Sequence, residues 1–132
     1  MLYVDTSAVL KLVRRERETD ELLSWLDARH DSPIVSSVLL EVEVSRALHR
    51  NAPESLDSVP AVLGRIATYE IDELVRATAA SYQDPNLRSL DAIHLATAAA
   101  IFQERLSAFV TYDKRLLAAA DALELPTACP GS

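Results

Sequence analysis

The chain has 132 residues and a formal net charge of −7, with 13 Lys and Arg against 20 Asp and Glu. This length predicts one domain, and an apolar fraction of 49% is enough for a core without disulfide or metal staples. The negative charge argues against a protein that grips nucleic acid by bulk attraction. Only two glycines are present, which excludes a glycine-rich phosphate loop or a dinucleotide fingerprint.

Neither a membrane span nor a secretory signal is expected. No apolar run approaches the roughly 20 residues that a span needs, and no basic segment precedes an apolar one at the N-terminus. Cys129 is the only cysteine, so an internal disulfide is impossible. These features predict a protein of the reducing cytoplasm.

Short apolar strands are predicted to alternate with helices along the whole chain. The strands are 2–4, 34–37, 66–71, 109–112 and 126–128, and the helices are 8–14, 19–29, 38–50, 59–64, 73–82, 90–102 and 114–122. We expect Thr6 or Ser7, Asp72 and Ser89 to cap the helices that follow them. The alternation predicts a single α/β domain over residues 1–132, with a parallel sheet covered on both faces.

Three aspartates occupy positions where a charge is costly unless something pairs with it. Asp5 ends the first strand and Asp113 follows strand 109–112, so a parallel sheet would bring both to one edge. Asp91 lies in the first turn of the most apolar helix, where capping is the simpler explanation.

Helix 38–50 offers two further acids, Glu41 and Glu43. Residues two apart are separated by about 200° around a helix, so the two carboxylates cannot share a face. One of them should point toward the other acids, and helical phase alone does not decide which.

Convergent carboxylates with few basic neighbours predict a divalent cation. Oxygen ligands in this number suit Mg²⁺ or Mn²⁺, whereas zinc prefers His and Cys. The three histidines, His30, His49 and His94, have no zinc-type spacing. A carboxylate cluster with one or two Mg²⁺ ions is typical of in-line displacement at phosphate.

Four segments, in order along the chain, resemble the PIN domain and, within it, the VapC ribonuclease toxins of bacterial type II toxin–antitoxin pairs. They are Val-Asp-Thr-Ser from position 4, Ser-Ser with the later Glu-Val-Ser-Arg-Ala-Leu, Ser-Leu-Asp-Ala-Ile-His-Leu-Ala-Thr-Ala, and Val-Thr-Tyr-Asp-Lys-Arg-Leu. The resemblance runs from Leu2 to about Pro130. It implies a three-layer α/β/α sandwich, RNA cleavage with Mg²⁺ or Mn²⁺, inhibition by a VapB-type antitoxin, and a homodimer.

The resemblance also implies a role for individual residues. The four family acids match Asp5, Glu43, Asp91 and Asp113. Asp5, Asp91 and Asp113 would hold the metal, and Glu43 would help to position the attacking water. Glu43 fits the Glu-x-x-x-Ala pattern better than Glu41, which stays as the alternative acid. Thr6 and Thr111 match the hydroxyl positions that orient acids or water.

Other residues have two interpretations each. Arg46 and Arg50 could contact RNA phosphate or the antitoxin, and surface charge explains them equally well. His94 could face the site, although a core or rim histidine is the simpler expectation. The apolar stripe of helix 19–29, together with Leu12, is most simply core, and it is also the region that receives the antitoxin in VapC-like proteins. The stripe in that helix consists of Leu22, Leu23, Trp25 and Leu26.

Two other functions are compatible with parts of the pattern. In an Asp-based phosphatase Asp5 would be a nucleophile, but such enzymes need Asp-x-Asp, and position 7 is Ser. A catalytically silent PIN-like adaptor, which binds RNA or protein, would be expected to have lost acids, and all four are present.

Overall fold

Five short strands form one parallel sheet. The computed structural model describes all 132 residues. The strands are β1 (Leu2–Val4), β2 (Ile34–Ser37), β3 (Ala67–Tyr69), β4 (Ala108–Val110) and β5 (Thr127–Ala128). Their order is β3-β2-β1-β4-β5, and every neighbouring pair is parallel. The sheet predicted from the alternation is therefore confirmed, with β1 at its centre.

Seven α-helices connect and cover the strands. They are α1 (Thr6–Val13), α2 (Thr19–Asp27), α3 (Leu40–Asn51), α4 (Val59–Leu63), α5 (Glu73–Ser81), α6 (Ser89–Ala96) and α7 (Lys114–Ala122). Two 3₁₀ turns, Pro53–Ser58 and Gln103–Arg105, and a π-helical segment, Thr97–Phe102, complete the chain. No helix is long and apolar enough to cross a membrane.

Alternate side chains of the central strand enter two separate cores. Leu2 and Val4 are buried in a cluster with residues of α1, α2, α3 and α4. Tyr3, whose side chain points to the other face, is buried with residues of the π-helical segment and of α6 and α7. A strand that is buried on both faces is what a sheet between two helical layers requires. The three-layer α/β/α sandwich is thus confirmed.

Three local predictions about the helices were wrong. The N-cap of α1 is Asp5, rather than Thr6 or Ser7, because its carboxylate accepts the Ala8 N–H. Ser89 is the first residue of α6, whose N-cap position makes no side-chain hydrogen bond. The predicted helix 90–102 is α-helical only to Ala96 and continues as the π-helical segment. Asp72 does cap α5, as predicted, through the Val75 N–H.

The register of the sheet brings Asp5 and Thr111 to the same edge. Val4, the last residue of β1, pairs with Val110, the last residue of β4. Asp5 and Thr111 therefore leave adjacent strands at the same edge, and Asp113 follows two residues later. Ser36 of β2 donates a hydrogen bond of 2.5 Å to the Val4 carbonyl, which connects the end of β2 to the same edge.

Candidate functional site

Asp5 is buried at the centre of the edge formed by the strand ends. Its side chain is held by three donors: Ser7 Oγ at 2.7 Å and the Ala8 N–H at 3.0 Å on Oδ1, and Thr111 Oγ1 at 2.6 Å on Oδ2. The residue is only 3% exposed, and burial raises the pKa of its carboxyl in spite of these hydrogen bonds. A carboxylate oxygen has about two lone pairs. Oδ1 is therefore fully used by the protein, and Oδ2 keeps one acceptor position.

Ser7, predicted from the sequence only as a helix cap, also holds the side chain of Asp5 in place. It donates to Asp5 and accepts a hydrogen bond of 2.9 Å from the Tyr112 N–H. Thr111 acts in the same way, because it donates to Asp5 and accepts from the Asp113 N–H at 3.1 Å. The two hydroxyls connect the turn after β1 to the turn after β4.

Glu43 lies against this edge, whereas Glu41 does not. One oxygen of Glu43, Oε1, accepts hydrogen bonds from Thr6 Oγ1 at 2.7 Å and from His94 Nε2 at 2.8 Å. Burial acts to raise the pKa of Glu43, but the hydrogen bonds from His94 and Thr6 outweigh it and hold the pKa below its usual value. Glu41 is exposed on the same helix. The geometry therefore brings Glu43 to the site and leaves Glu41 in solvent.

His94 is buried and hydrogen-bonded on both ring nitrogens. Nδ1 lies 2.7 Å from the Tyr3 hydroxyl, and Nε2 faces Glu43. The residue is 2% exposed, which agrees with the expectation of a core histidine. It also contacts a site acid, and no sequence signal other than its position one turn after Asp91 pointed to that contact.

Asp91 and Asp113 line an open depression of about 340 Å³ together with three basic residues, Arg88, Lys114 and Arg115. Burial raises the pKa of Asp91, and the charges of Asp113, Asp5 and Glu43 raise it further, against the opposing effect of His94. Asp113 caps α7 through Oδ1, which accepts the Arg115 and Leu116 N–H groups at 2.9 and 3.1 Å. Asp91 is therefore under the electrostatic influence of the other three predicted acids.

The donor set has the chemistry that a hard divalent cation prefers. As they stand, no three His, Cys, Asp or Glu side chains lie close enough together to hold one ion directly. Mg²⁺ usually keeps several waters and binds through one or two carboxylates. Free acceptor positions remain on Asp5 Oδ2, on Glu43 and on Asp113. The residues therefore fit a cation that is bound partly through water.

The remaining candidates lie outside this cluster. Arg46 and Arg50 are exposed on α3. Lys11 forms a salt bridge with Glu18 and lies 4.6 Å from the centroid of the Tyr112 ring. An Asp-based phosphatase also needs a lysine in its site. Because Lys11 is engaged with Glu18 and Tyr112, it is not available beside Asp5, which argues against the phosphatase.

An apolar groove of about 360 Å³ lies on the α1–α2 side of the protein. Of the predicted stripe, Leu12, Leu23 and Leu26 line it, and Leu23 is 46% exposed. Leu22 is instead buried in the core, and Trp25 stacks under the Arg29 guanidinium at 4.0 Å. The stripe therefore serves both the core and an open surface.

Comparisons of sequence and of structure with known proteins agree with one another. A model of the PIN domain matches residues 2–122. Ribonuclease VapC35 of Mycobacterium tuberculosis is 52% identical over 132 residues, covering 99% of this chain and 98% of the relative. Ribonuclease VapC47 of the same species is 41% identical over 135 residues, covering 100% and 98%. The crystal structure of M. tuberculosis VapC20, a sarcin–ricin loop cleaving toxin, superposes with a TM-score of 0.68 at 15% identity and covers 90% of this chain and 95% of that one.

Proposed function

The chain belongs to the PIN-domain family, among the VapC toxins, and we propose that it is an endoribonuclease that hydrolyses RNA phosphodiester bonds with a divalent cation. The observation that carries the proposal is the placement of Asp91 and Asp113 in one depression, where the charges of Asp113, Asp5 and Glu43 add to burial in raising the pKa of Asp91. Asp91 is thus repelled by three acids that come from distant parts of the chain. Such an arrangement is favourable when a cation is bound.

In this proposal Asp5, Asp91 and Asp113 hold Mg²⁺ or Mn²⁺, at most two of them directly and the rest through water. The bound cation supplies Lewis-acid stabilisation of the charge that develops on the phosphate and activates water for attack. Ser7 and Thr111 fix the orientation of Asp5, so that the free acceptor position of Oδ2 is preorganised. Such outer hydrogen bonds typically set the orientation of metal ligands.

Glu43 orients the attacking water. Its pKa is held below the usual value, so the carboxylate is ionised at neutral pH and can accept a hydrogen bond from water. Both recorded donors, Thr6 and His94, bind Oε1. Oε2 is therefore the oxygen available to the water or to a second cation.

Arg88, Lys114 and Arg115 would bind the RNA backbone. They share the depression with Asp91 and Asp113. Arginine forms bidentate contacts with phosphate, and lysine offers a point charge. This rim allows an acidic protein to receive a polyanion at one place, and it supports RNA contact more directly than the exposed Arg46 and Arg50.

A VapB-type antitoxin is the proposed partner. The groove lined by Leu12, Leu23 and Leu26 has the apolar character that receives one face of an amphipathic helix. An Arg from the antitoxin that entered the acidic site would neutralise it and block the RNA. We also propose a homodimer, on the ground of membership in the family alone.

The test is RNA cleavage by the purified protein. We expect cleavage with Mg²⁺ or Mn²⁺, and background levels with EDTA or in Asp5→Asn. Cleavage that survives both EDTA and Asp5→Asn would exclude a cation-dependent nuclease. RNA binding without cleavage under all conditions would instead favour the silent adaptor.

Two neighbouring acids on α3 provide a matched pair for the site assignment. Glu43→Gln should remove most of the activity, because it replaces the carboxylate that faces the site, whereas Glu41→Gln should leave it near wild type. Both variants change the net charge equally, so the difference reports position. Loss of activity in Glu41→Gln alone would reverse the assignment.

A further inference from the structure

A buried hydrogen-bond chain leads from the core of the protein to Glu43. The Tyr3 hydroxyl lies 2.7 Å from His94 Nδ1, and His94 Nε2 lies 2.8 Å from Glu43 Oε1. Tyr3 is completely buried and His94 is 2% exposed. Three elements, β1, α6 and α3, are thereby connected through side chains alone.

The protons of this chain can be assigned so that every member of the chain is satisfied. The carboxylate of Glu43 only accepts, so His94 Nε2 must carry a proton and donate it. The short distance of 2.7 Å places His94 Nδ1 within hydrogen-bond reach of the Tyr3 hydroxyl. A buried hydroxyl without a partner is costly, so Tyr3 is satisfied when it donates to Nδ1.

Packing fixes the position of the tyrosine that anchors the chain. The Tyr3 ring stacks on Phe109 with the centroids 5.2 Å apart and meets the His94 ring edge-on at 5.9 Å. Burial strongly raises the pKa of Tyr3, so its hydroxyl keeps its proton at all ordinary pH values. The anchor is therefore rigid and neutral.

We propose that His94 is a positioning residue for Glu43: anchored by Tyr3, it donates Nε2–H to Oε1 and so presents Oε2 to the reaction. The proposal rests on the function proposed above for Glu43. Thr6 donates to the same oxygen at 2.7 Å and lies 3.3 Å from Nε2. With two donors on Oε1, rotation of the carboxylate is restricted and the second oxygen keeps a fixed direction.

Two substitutions of His94 separate the contact with Glu43 from the contact with Tyr3. His94→Gln can place an amide N–H near the position of Nε2, and His94→Asn reaches only as far as Nδ1 and leaves Glu43 without this donor. His94→Asn should lower kcat by about 10- to 100-fold, as loss of an outer hydrogen-bond partner typically does, with little change in KM. His94→Gln should recover much of the lost kcat.

Tyr3→Phe tests the anchor with little risk to folding, because it keeps the stacked ring. We expect a smaller loss of kcat, roughly threefold to tenfold. His49→Asn is the matched control, since His49 is exposed in the last turn of α3. It should behave as wild type in every assay.

A spectroscopic measurement on the metal-free protein does not depend on activity. Imidazole ¹⁵N and ¹H NMR should show a proton on His94 Nε2 that exchanges slowly with solvent. This signal should shift in Glu43→Gln and exchange faster in Tyr3→Phe, and it should be absent in both His94 variants.

The outcomes distinguish the positioning role from the nuclease. An unprotonated Nε2 in the wild type, or full kcat in a folded His94→Asn, would overturn the positioning role. The expected Nε2 signal and its response to Glu43→Gln, in a protein that cuts no RNA, would support the hydrogen-bond chain and contradict the proposed nuclease. The expected signal together with the kcat losses supports both.

Discussion

Asp5 combines two roles that sequence analysis usually treats as alternatives. It caps α1 through Oδ1 and, with Thr111, keeps Oδ2 turned toward the sheet edge. A cap uses the acceptor positions of one oxygen, and a cation needs only one position on the other. The capping hydrogen bonds therefore hold the carboxylate in place and leave Oδ2 available for the proposed cation.

Asp91 differs because no hydrogen bond is recorded to its carboxylate. Burial and the charges of Asp113, Asp5 and Glu43 raise its pKa. A raised carboxyl pKa means that ionised Asp91 destabilises the folded protein as the pH rises through the folded pKa. Below the ordinary pKa of 3.8 the residue is neutral in both states, and the destabilisation disappears.

Asp91→Asn should therefore stabilise the metal-free protein while it abolishes cleavage. At pH 7 in EDTA we expect a gain of roughly 0.5 kcal/mol in the free energy of unfolding, the scale of a partly exposed charge interaction. The gain should shrink as the pH falls toward the ordinary carboxyl range. Urea unfolding at several pH values measures it.

Asp57→Asn controls for the change in net charge, since Asp57 is exposed and is not among the charges that raise the pKa of Asp91. It should alter the stability much less than Asp91→Asn does. Equal gains in the two variants would show that general charge repulsion, and not the cluster, is responsible.

At the start of helix α7, the capping hydrogen bonds of Asp113 and its negative charge can be tested separately. Its N-cap, Asp113, accepts two backbone N–H groups, and Asp72 caps α5 in the same manner through Val75. Asparagine caps about as well as aspartate, whereas alanine costs about 1 kcal/mol. The cap and the negative charge of Asp113 can thus be removed one at a time.

Asp113→Asn should keep the stability within about 0.5 kcal/mol and lower RNA cleavage by about tenfold or more. Asp113→Ala should lose both the activity and about 1 kcal/mol of stability. Thermal unfolding and cleavage rates, measured on the same preparations, provide the comparison.

The cap of α5 supplies the reference for that experiment. Asp72→Ala should cost a similar amount of stability at unchanged activity, because Asp72 lies outside the acidic cluster. Full activity in Asp113→Asn would mean that the residue is needed only as a cap.

The elements themselves were predictable to the extent that local pattern determines them. Short apolar runs and turn residues located every strand, and Asp72 was identified as a cap. The division of 90–102 into α6 and a π-helical segment was not predictable, because nothing in that small apolar run breaks the helical pattern. The α1 cap was misassigned because three consecutive residues, Asp5, Thr6 and Ser7, are all good caps.

Within the site, the residue types were predictable and their partners were not. Asp5 and Asp113 followed from strand ends, which topology alone brings together. His94 was left with two interpretations and Ser7 was predicted only as a cap, because their contacts, to Glu43 and across to Tyr112, span 51 and 105 positions of sequence. Only the packed sheet and helices bring such residues together, so no local sequence pattern predicts these contacts.

At the scale of the whole molecule, the charges are separated into an acidic centre and a basic rim. Three acids lie near the ends of β1 and β4 and at the start of α6, and α3 adds Glu43. Arg88, Lys114 and Arg115 border the same depression. A net charge of −7 is thus compatible with the proposed RNA binding, because a bound cation and a local basic surface would face the phosphate.

The same arrangement predicts that divalent cations stabilise the fold. A ligand that binds only the folded protein at ten times its dissociation constant adds about 1.4 kcal/mol, or roughly 5 °C in Tm for a domain of this size. Mg²⁺ or Mn²⁺ should raise the Tm of the wild type, and the rise should disappear in Asp91→Asn, whose own metal-free Tm is higher. Differential scanning fluorimetry with and without EDTA measures both effects, and Na⁺ at equal ionic strength corrects for screening. An equal rise in Tm with Mg²⁺ in the wild type and in Asp91→Asn would place the cation away from the acidic cluster. That result would also contradict the proposed roles of Asp5 and Asp113 as metal ligands.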